Sequence, residues 1–346
     1  MNQLAPIDSL RWFRRLALVG ALLAAIVVVL GAWVRLTDAG LGCPDWPGCY
    51  GHPYPQAAPQ AARAWHEMVH RYFAGTLVAT ITGVAIWAWL ARRRPGQPLG
   101  PVLALFMIVC GQAALGALTV TWRLNPYVVT AHLIGGLTTL SLLWWLSLTP
   151  PAAPLAPAER VLQPFALVAL CVLVAQIALG GWTSSNYAAL ACPDLPTCQR
   201  AWWPDADFQG AFTLWQRGID YEGGVLANPA RIAIHLAHRA GALLAGIVLA
   251  SLGATVIARA RSRRLARAGA LVLIAVLAQI SIGIAMVHFG VPLPLATMHN
   301  AGAAFLIVSL VTLLRALWPA QAVSAVPAYE AARSRMVPLP RVDASR

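Results

Sequence analysis

Four histidines recur at matched spacing and could ligate a metal-bearing cofactor. His70 and His132 are 62 residues apart, and His238 and His299 are 61 residues apart. Two histidines on facing helices of a four-helix bundle can ligate a haem iron from both sides. A lone histidine in a membrane helix is often a satisfied core residue, but four in a repeated frame favour two haem sites. Zinc is less favoured, because it prefers four ligands and each pair has only one further candidate nearby.

That further candidate differs between the two halves of the chain. Glu67 stands three residues before His70, and His235 stands three residues before His238. Residues at i and i+3 share a helix face, so only the first pair has a carboxylate that could take a proton or orient water. This difference favours chemistry at the first pair and a cofactor role at the second. The alternatives are a helix-start carboxylate favoured by the helix dipole and, less favoured, a di-iron site, which needs a second Glu-x-x-His motif.

Arg71 and Arg239 directly follow the first histidine of each pair and could bind acidic groups. A guanidinium pairs with carboxylates in a fork geometry, so haem propionates are candidate partners, as are lipid headgroups. Glycines in the same spans would let a flat macrocycle approach the backbone, although close helix packing explains any one of them equally well. These glycines are Gly75, Gly116, Gly135, Gly136, Gly241, Gly283 and Gly302.

Four of the six cysteines form two matched pairs, Cys43 with Cys49 and Cys192 with Cys198. Five residues separate the members of each pair, which is not the spacing of two typical of a zinc ribbon. Both pairs fall in segments expected to face an oxidising compartment, so disulfides are natural there. A disulfide could staple the loop or exchange with a thiol carrier. A structural role is favoured for the second pair, and both roles stay open for the first. The other two cysteines, Cys110 and Cys171, lie in apolar segments and are predicted to be core thiols.

These residues belong to a chain whose composition is that of a membrane protein. Hydrophobic residues make up 59% of its 346 residues and charged residues only 11%, against about 25% charged in soluble domains. A membrane helix needs about 20 apolar residues. The first apolar segment is interpreted as a retained helix rather than a cleaved signal peptide. Eight segments qualify, at about 16–36, 67–91, 100–121, 127–148, 161–184, 231–258, 269–290 and 295–317.

The distribution of arginine predicts the orientation of these helices. All 25 basic residues are arginine, and 17 of them, with 4 acidic residues, lie on the side of the two termini, against 8 of each on the other side. Cytoplasmic loops carry the excess of basic residues, so both termini are predicted to be cytoplasmic. The net charge of +13 therefore needs no nucleic-acid partner to explain it. The segment after Trp318 lacks apolar periodicity and is predicted to be a disordered cytoplasmic tail.

An internal repeat organises the whole chain. The motif C-P-D-W-P-G-C at 43–49 recurs as C-P-D-L-P-T-C at 192–198, an offset of 149, and His132 recurs as His299, an offset of 167. Gln112 recurs as Gln279 at the same offset of 167. The predicted fold is therefore all-α and integral to the membrane, with eight transmembrane helices in two parallel-repeat four-helix bundles. The predicted domains are 1–150 and 151–318, followed by the tail 319–346.

The motifs of this chain together resemble the haem A synthase family. The resemblance rests on W-V-R-L-T-D-A-G-L-G-C-P-D-W-P-G-C at 33–49, on H-E-M-V-H-R-Y-F-A-G at 66–75, on the helices of His132 and His299, and on the duplicated plan. It covers about residues 14–318. The family oxidises the ring methyl of haem O to a formyl group through successive hydroxylations, which gives haem A for cytochrome c oxidase.

The resemblance implies a role for each matched residue. His238 and His299 would be the axial ligands of a haem b in the second half, with Arg239 beside it. His70 and His132, with Arg71, would bind the substrate haem, and Glu67 would be catalytic. The two cysteine pairs match disulfide or redox pairs of bacterial members. The implied location is the bacterial inner membrane. The implied partners are haem O synthase and the cytochrome c oxidase assembly pathway, and a thiol-disulfide carrier is a further candidate partner.

Two other classes of function remain to be weighed. A di-haem electron carrier of the cytochrome b type would keep both haems permanently, but it has little need for a carboxylate beside one pair only. A transporter is weaker, because the spans lack paired broken helices and central charges. Small-residue faces are compatible with an oligomer and equally with internal packing.

Overall fold

The computed structural model describes residues 6–56, 60–93, 98–149, 155–213 and 219–318. Within these ranges the chain is helical, with no named strand and eight helices long and apolar enough to cross a membrane. The protein is therefore a multi-pass membrane protein, as predicted. Two four-residue helices, Pro157–Arg160 and Phe208–Ala211, lie outside these eight. The long helices are α1 (Pro6–Leu36), α2 (Ala61–Leu90), α3 (Leu99–Thr121), α4 (Pro126–Ser147), α5 (Leu162–Ser185), α6 (Asn228–Arg259), α7 (Arg263–His288) and α8 (Leu293–Leu317).

Several helices begin earlier than the apolar pattern predicts. The helix predicted from residue 67 begins at Ala61, and the one predicted from residue 269 begins at Arg263. Helical hydrogen bonding continues past the hydrocarbon core, where arginine side chains reach the polar interface. His70 is therefore the tenth residue of α2 rather than the fourth. The predicted tail 319–346 lies outside the described residues.

Local sequence signals fix where two of the helices start. The side chain of Asn125 accepts a hydrogen bond from the backbone N–H of Tyr127 at 3.1 Å and caps α4. The hydroxyl of Ser262 accepts one from the N–H of Leu265 at 3.2 Å and caps α7. Such caps satisfy backbone donors that the first helical turn leaves free. The first cap sets the start of the helix that carries His132.

The helices form two rings of neighbours. α1 packs against α2 and α4, and α3 packs against the same two helices. The corresponding contacts join α5, α6, α7 and α8, and the two sets meet where α1 packs against α8 and α4 packs against α5 and α8. One continuous buried core contains residues from all eight helices. A hydrogen bond of 2.8 Å from Trp144 Nε1 to Thr312 Oγ1 joins α4 to α8 within it.

The expectation that Cys110 and Cys171 are core thiols is wrong. Both are free and both are exposed on the outer surface of the helices. In a membrane the lipid is as apolar as the protein core. An apolar position can therefore face either, and hydrophobicity alone does not distinguish the two.

Candidate functional site

A large cavity lies in the first half of the chain and contains the first histidine pair. Its volume is about 1140 Å³, slightly above the range of about 300–1,000 Å³ for small-molecule sites. All four helices α1 to α4 contribute to its walls, and His70 and His132 both line it. Gly180, Gly181 and Ser184 of α5 and Asn300 of α8 line it on the side of the second half.

Both imidazoles in this cavity face glycines and keep an unpartnered nitrogen. A Cβ atom on Gly31 would lie 3.0 Å from the His70 ring, and one on Gly116 would lie 3.5 Å from the His132 ring. Among the described residues, the buried Nδ1 atoms of these two histidines have no hydrogen-bond partner. An unsatisfied buried polar atom costs about 1–3 kcal/mol. His70 and His132 are therefore not satisfied core histidines.

Glu67 lies in the wall of this cavity and is almost completely buried, at 4% exposure. Its Oε2 accepts a hydrogen bond of 2.9 Å from the backbone N–H of Cys43, and its Oε1 pairs with Arg71. The helix begins at Ala61, so Glu67 lies beyond the first turn, where the effect of the helix dipole falls off. The dipole therefore does not explain this carboxylate.

Arg71 and Arg239 hold the two loops that carry the cysteine pairs (the first and second outer loops, on the side that the arginine distribution predicts to be outside), a role that the sequence did not reveal. Arg71 Nη1 donates to the carbonyls of Asp45 at 2.8 Å and Gly48 at 2.5 Å. Arg239 donates in the same way to Asp194 at 2.8 Å and Thr197 at 2.9 Å in the second loop. Backbone carbonyls have no sequence signature, so these contacts could not be predicted from the residues. The only related signal was the offset of 149 between the two cysteine motifs, which indicates that the two loops have similar structures.

Both predicted cysteine pairs are disulfides, Cys43–Cys49 and Cys192–Cys198. The first closes a loop whose residues 45–48 line the outer end of the cavity. Both of its cysteines are 0% exposed. Because disulfide exchange requires access to a sulfur atom, a thiol carrier could reach this bond only after the loop opens.

A carboxylate stabilises each disulfide loop from within. Asp45 accepts hydrogen bonds from the backbone N–H groups of Tyr50 at 2.6 Å and Gly51 at 2.7 Å. The bond from Gly51 is the main cause that holds the pKa of Asp45 below its ordinary value of 3.8. In the second loop the hydroxyl of Thr197 lowers the pKa of Asp194 in the same sense. Hydrogen bonds to the ionised form favour that form.

The second histidine pair has a different environment, because a glutamine amide contacts each ring. Gln176 Nε2 lies 3.1 Å from His238 Nδ1, and Gln279 Nε2 lies 3.3 Å from His299 Nδ1. The sequence repeat pointed to Gln279, but the counterpart of Gln176 is Val27, so no repeat signal identified it. Neighbouring polar groups orient metal-ligating histidines.

His235 does not compete with His238 as a ligand in this structure. Its ring is buried, and its Nδ1 lies 3.1 Å from the carbonyl oxygen of Ala188, at the start of the second outer loop. Glu67, its counterpart in the repeat, holds the first outer loop through Cys43. Both residues at this repeat position therefore bind a loop backbone.

The two histidine pairs fit a haem better than a bare metal ion. In the ranges that the structure describes, no group of three or more histidine, cysteine or acidic residues could hold a metal ion. Two imidazoles are sufficient as axial ligands of a haem iron. A glycine of the neighbouring helix packs directly against each ring: for His238 a Cβ on Gly180, and for His299 a Cβ on Gly283, would each lie 3.2 Å away.

The fold and the site together define a multi-pass helical membrane protein with two pairs of imidazoles on separate helices. Residues 14–311 match the model of the COX15-CtaA family, described as cytochrome oxidase assembly protein. The chain belongs to this family.

Related proteins share most of their length with this chain. It is 42% identical over 330 residues to the haem A synthase of Shewanella oneidensis, which covers 90% of this chain and 97% of that protein. It is 29% identical over 302 residues to the haem A synthase of Halalkalibacterium halodurans, covering 84% of this chain and 91% of that protein. The haem A synthase of Rhizorhabdus wittichii is 29% identical over 331 residues, covering 85% of this chain and 90% of that protein.

Proposed function

We propose that this chain is a haem A synthase, which oxidises the ring methyl of haem O to a formyl group and so supplies haem A for cytochrome c oxidase assembly. Membership of the COX15-CtaA family and the 42% identity to a haem A synthase support this function. The observation that carries it is the large first-half cavity, in which the buried carboxylate of Glu67 lies on the same helix as His70.

In this proposal the residues of the first half bind the substrate and accept or hold a proton. His70 and His132 approach the iron of haem O through their imidazoles. Glu67 accepts or holds a proton at its carboxylate, because general acid–base work needs a positioned, titratable group. Arg71 orients that carboxylate and keeps the disulfide loop over the cavity, so that bulk water is excluded.

We also propose that the two rings of helices are two four-helix bundles, with domains at 1–150 and 151–318. The contacts within each ring, and the repeat, support this arrangement. The second bundle would hold a haem b with His238 and His299 as axial ligands and Arg239 fixing the loop above them. That haem would supply one-electron redox chemistry.

The proposed location is the bacterial inner membrane, with both termini and the tail 319–346 in the cytoplasm. The arginine-rich ends of α6 and α7 support this orientation, because basic residues are retained on the cytoplasmic side. The substrate would come from haem O synthase, and the product would pass to the oxidase assembly pathway. Exchange of the Cys43–Cys49 disulfide with a thiol carrier would require the loop to open.

The first experiment analyses the haems that copurify with the protein. The chain is expressed with a source of haem O, and extracted haems are separated by chromatography and identified by mass. Haem B together with haem A or a hydroxylated intermediate is the expected result. Two haem B molecules per chain, with no oxidised haem, would instead indicate an electron carrier of the cytochrome b type.

Variants of the second pair test the haem b site separately. His238→Ala or His299→Ala should remove the copurifying haem B, because each deletes one of two axial ligands. His70→Ala is the matched control and should keep haem B while losing substrate haem. Full haem B content in both second-pair variants would show that the ligand assignment is wrong.

A further inference from the structure

A glutamine and a glycine pack together beside three of the four paired histidines. The glycine follows the histidine by three residues, and the glutamine stands on the preceding helix of the same half. The three sequences are Q-A-A-L-G at 112–116 with H-L-I-G at 132–135, Q-I-A-L-G at 176–180 with H-R-A-G at 238–241, and Q-I-S-I-G at 279–283 with H-N-A-G at 299–302. A Cβ on Gly135, Gly241 or Gly302 would lie within 2.2 Å of the glutamine side chain. Each glutamine therefore needs its glycine, and we call the two a glutamine–glycine pair.

The fourth histidine, His70, lacks both members of this pair. The offsets of the repeat, 149 and 168, place Val27 where the glutamine would stand and Phe73 where the glycine would stand. The helices nevertheless pack alike around the ring. A Cβ on Gly31 would lie 3.0 Å from the ring of its histidine, and one on its counterpart Gly180 would lie 3.2 Å from the ring of its own. The site of His70 therefore keeps the glycine that touches the ring and lacks the glutamine–glycine pair.

In the second half, both glutamines hold the histidine that they adjoin. Gln176 Nε2 donates to the backbone carbonyl of His238 at 3.1 Å and lies 3.1 Å from its Nδ1. Gln279 Nε2 donates to the backbone carbonyl of His299 at 3.0 Å and lies 3.3 Å from its Nδ1. Because each amide is anchored on the histidine backbone and also touches the ring, it restrains the rotation of the imidazole.

These two amides are kept at a cost. Within the described part of the chain, the Oε1 atoms of Gln176 and Gln279 are buried without a hydrogen-bond partner. A buried polar atom that stays unsatisfied lowers stability. The amides therefore do not complete a polar network of the core, and the contacts that they do make are to the histidines.

The imidazoles of the first half are not held in this way. The buried Nδ1 atoms of His70 and His132 have no hydrogen-bond partner among the described residues. Gln112 lies against Gly135, yet the Nδ1 of His132 stays unpartnered. An amide thus touches both rings of the second half at Nδ1 and neither ring of the first.

We propose that Gln176 and Gln279 are positioning residues that keep the haem of the second half permanently bound, and that the lack of this contact lets the haem of the first half exchange. This inference rests on the proposed function, in which the second half keeps a haem b while the first takes in a substrate and releases a product. A ring that is already held loses little freedom when it binds a metal, whereas a free ring must be ordered at each binding event. The same four-histidine plan can therefore serve a cofactor in one half and a substrate in the other.

The first test removes one amide from the second half. Gln176→Met keeps the length of the side chain but cannot hydrogen-bond to the histidine. Purified protein is mixed with excess apomyoglobin, and the transfer of haem b is followed by absorbance. Transfer from the variant should be about 10- to 100-fold faster than from wild type, the usual effect of removing a group that orients a metal-ligating histidine. Gln163→Met is the matched control on the same helix: Gln163 bonds the carbonyl of Leu317 at 2.7 Å, and its loss should leave the transfer rate unchanged.

A spectroscopic measurement separates positioning from a structural role. Carbon monoxide binds a reduced haem with two histidine ligands only when one of them leaves the iron. The haem b of wild type should therefore not bind carbon monoxide, whereas that of Gln176→Met should. If the variant purifies without haem b, titration of haem-free variant and haem-free wild type with haemin gives the same comparison as a difference in affinity.

The second test builds the missing pair beside His70. Val27→Gln combined with Phe73→Gly supplies both members, and the protein is loaded with haem O before it is mixed with apomyoglobin. The haem that remains bound is extracted and identified by chromatography. Release of haem O from the double variant should be at least about tenfold slower than from wild type. Val27→Gln alone is the matched control and should release haem O at the wild-type rate, because without the glycine the amide has no room beside the histidine.

The outcomes separate this inference from the proposed function. A Gln176→Met protein that keeps haem b as firmly as wild type and binds no carbon monoxide would overturn the positioning role. Unchanged release of haem O from the Val27→Gln, Phe73→Gly variant would overturn the account of the first half; the haem b spectrum of the second half reports that this variant is folded. A wild type that carries no haem b, or that takes up no haem O, would contradict the proposed function instead.

Discussion

At the scale of single residues, Glu67 holds the first disulfide loop and also carries a titratable group into the cavity, and one substitution can separate these two features. Its carboxylate accepts the Cys43 N–H and pairs with Arg71, and it also lines the cavity. Glu67→Gln keeps an acceptor for the loop but removes the titratable group. We expect it to retain haem B and an ordered loop while haem A yield falls about 100-fold, the lower end of general acid–base contributions.

The comparison with Glu67→Ala completes this prediction. The alanine variant should also retain haem B, but it should lose both product and the loop contact, which proteolysis of the outer loop in membranes would detect. Haem A yield is measured by chromatography of extracted haems. A glutamine variant with wild-type yield would remove Glu67 from the chemistry and leave it the role of holding the loop.

Asp45 gives the first disulfide loop a defined pH dependence. The pKa of this carboxyl is lowered, chiefly by the backbone N–H of Gly51. A group with a lowered folded-state pKa stabilises the fold above its ordinary value of 3.8 and loses that effect as the pH falls below it. Wild type should therefore melt above Asp45→Asn at pH 5 to 8, and the gap should narrow as the pH falls below 3.8 and through the lower folded-state pKa. Asp194→Asn, in the second loop, should behave alike; a gap that does not narrow between pH 5 and pH 3 would contradict the assignment.

At the scale of helices, the cap of α4 should matter for function as well as for stability. Asn125 caps the helix that carries His132 in its second turn, and Ser262 caps α7 far from both histidine pairs. Loss of either cap should cost about 1 kcal/mol of stability. Only Asn125→Ala should also weaken haem O binding, because only that helix start positions a cavity histidine. Thermal unfolding and haem titration of both alanine variants measure the two effects, and equal haem O binding would contradict the positioning role.

Sequence patterns predicted the helices well and their contacts less well. Apolar length and the repeat identified all eight spans and the helices of the four histidines. The contacts of Arg71 with loop carbonyls could not be predicted, because they depend on how an irregular loop folds back over α2. The prediction that Cys110 and Cys171 lie in the protein core was wrong, because lipid and protein core favour the same residue types. Pattern thus predicts which residues are in the membrane, and packing decides what they face.

At the scale of the whole molecule, the repeat produces two similar halves that differ at a few decisive positions. Glu67 against His235 and Val27 against Gln176 change which groups surround the histidine pair of each half. The halves also share a wall, because Arg35 of α1 donates to the carbonyl of Ser184 at 2.5 Å. Ser184 also lines the first-half cavity.

The orientation of the molecule in the membrane decides on which side of the membrane the two disulfide loops lie. Trp203 lies in the second outer loop and is 93% exposed, and Arg261 lies in the short connection between α6 and α7. With the lipid-facing Cys110 and Cys171 replaced by alanine, Trp203→Cys should react with a membrane-impermeant maleimide on intact spheroplasts. Arg261→Cys should react only after the membrane is opened, because the arginine excess predicts that this connection is cytoplasmic. The opposite pattern would place the disulfide loops, and with them the outer end of the haem cavity, in the reducing cytoplasm, where disulfides rarely persist.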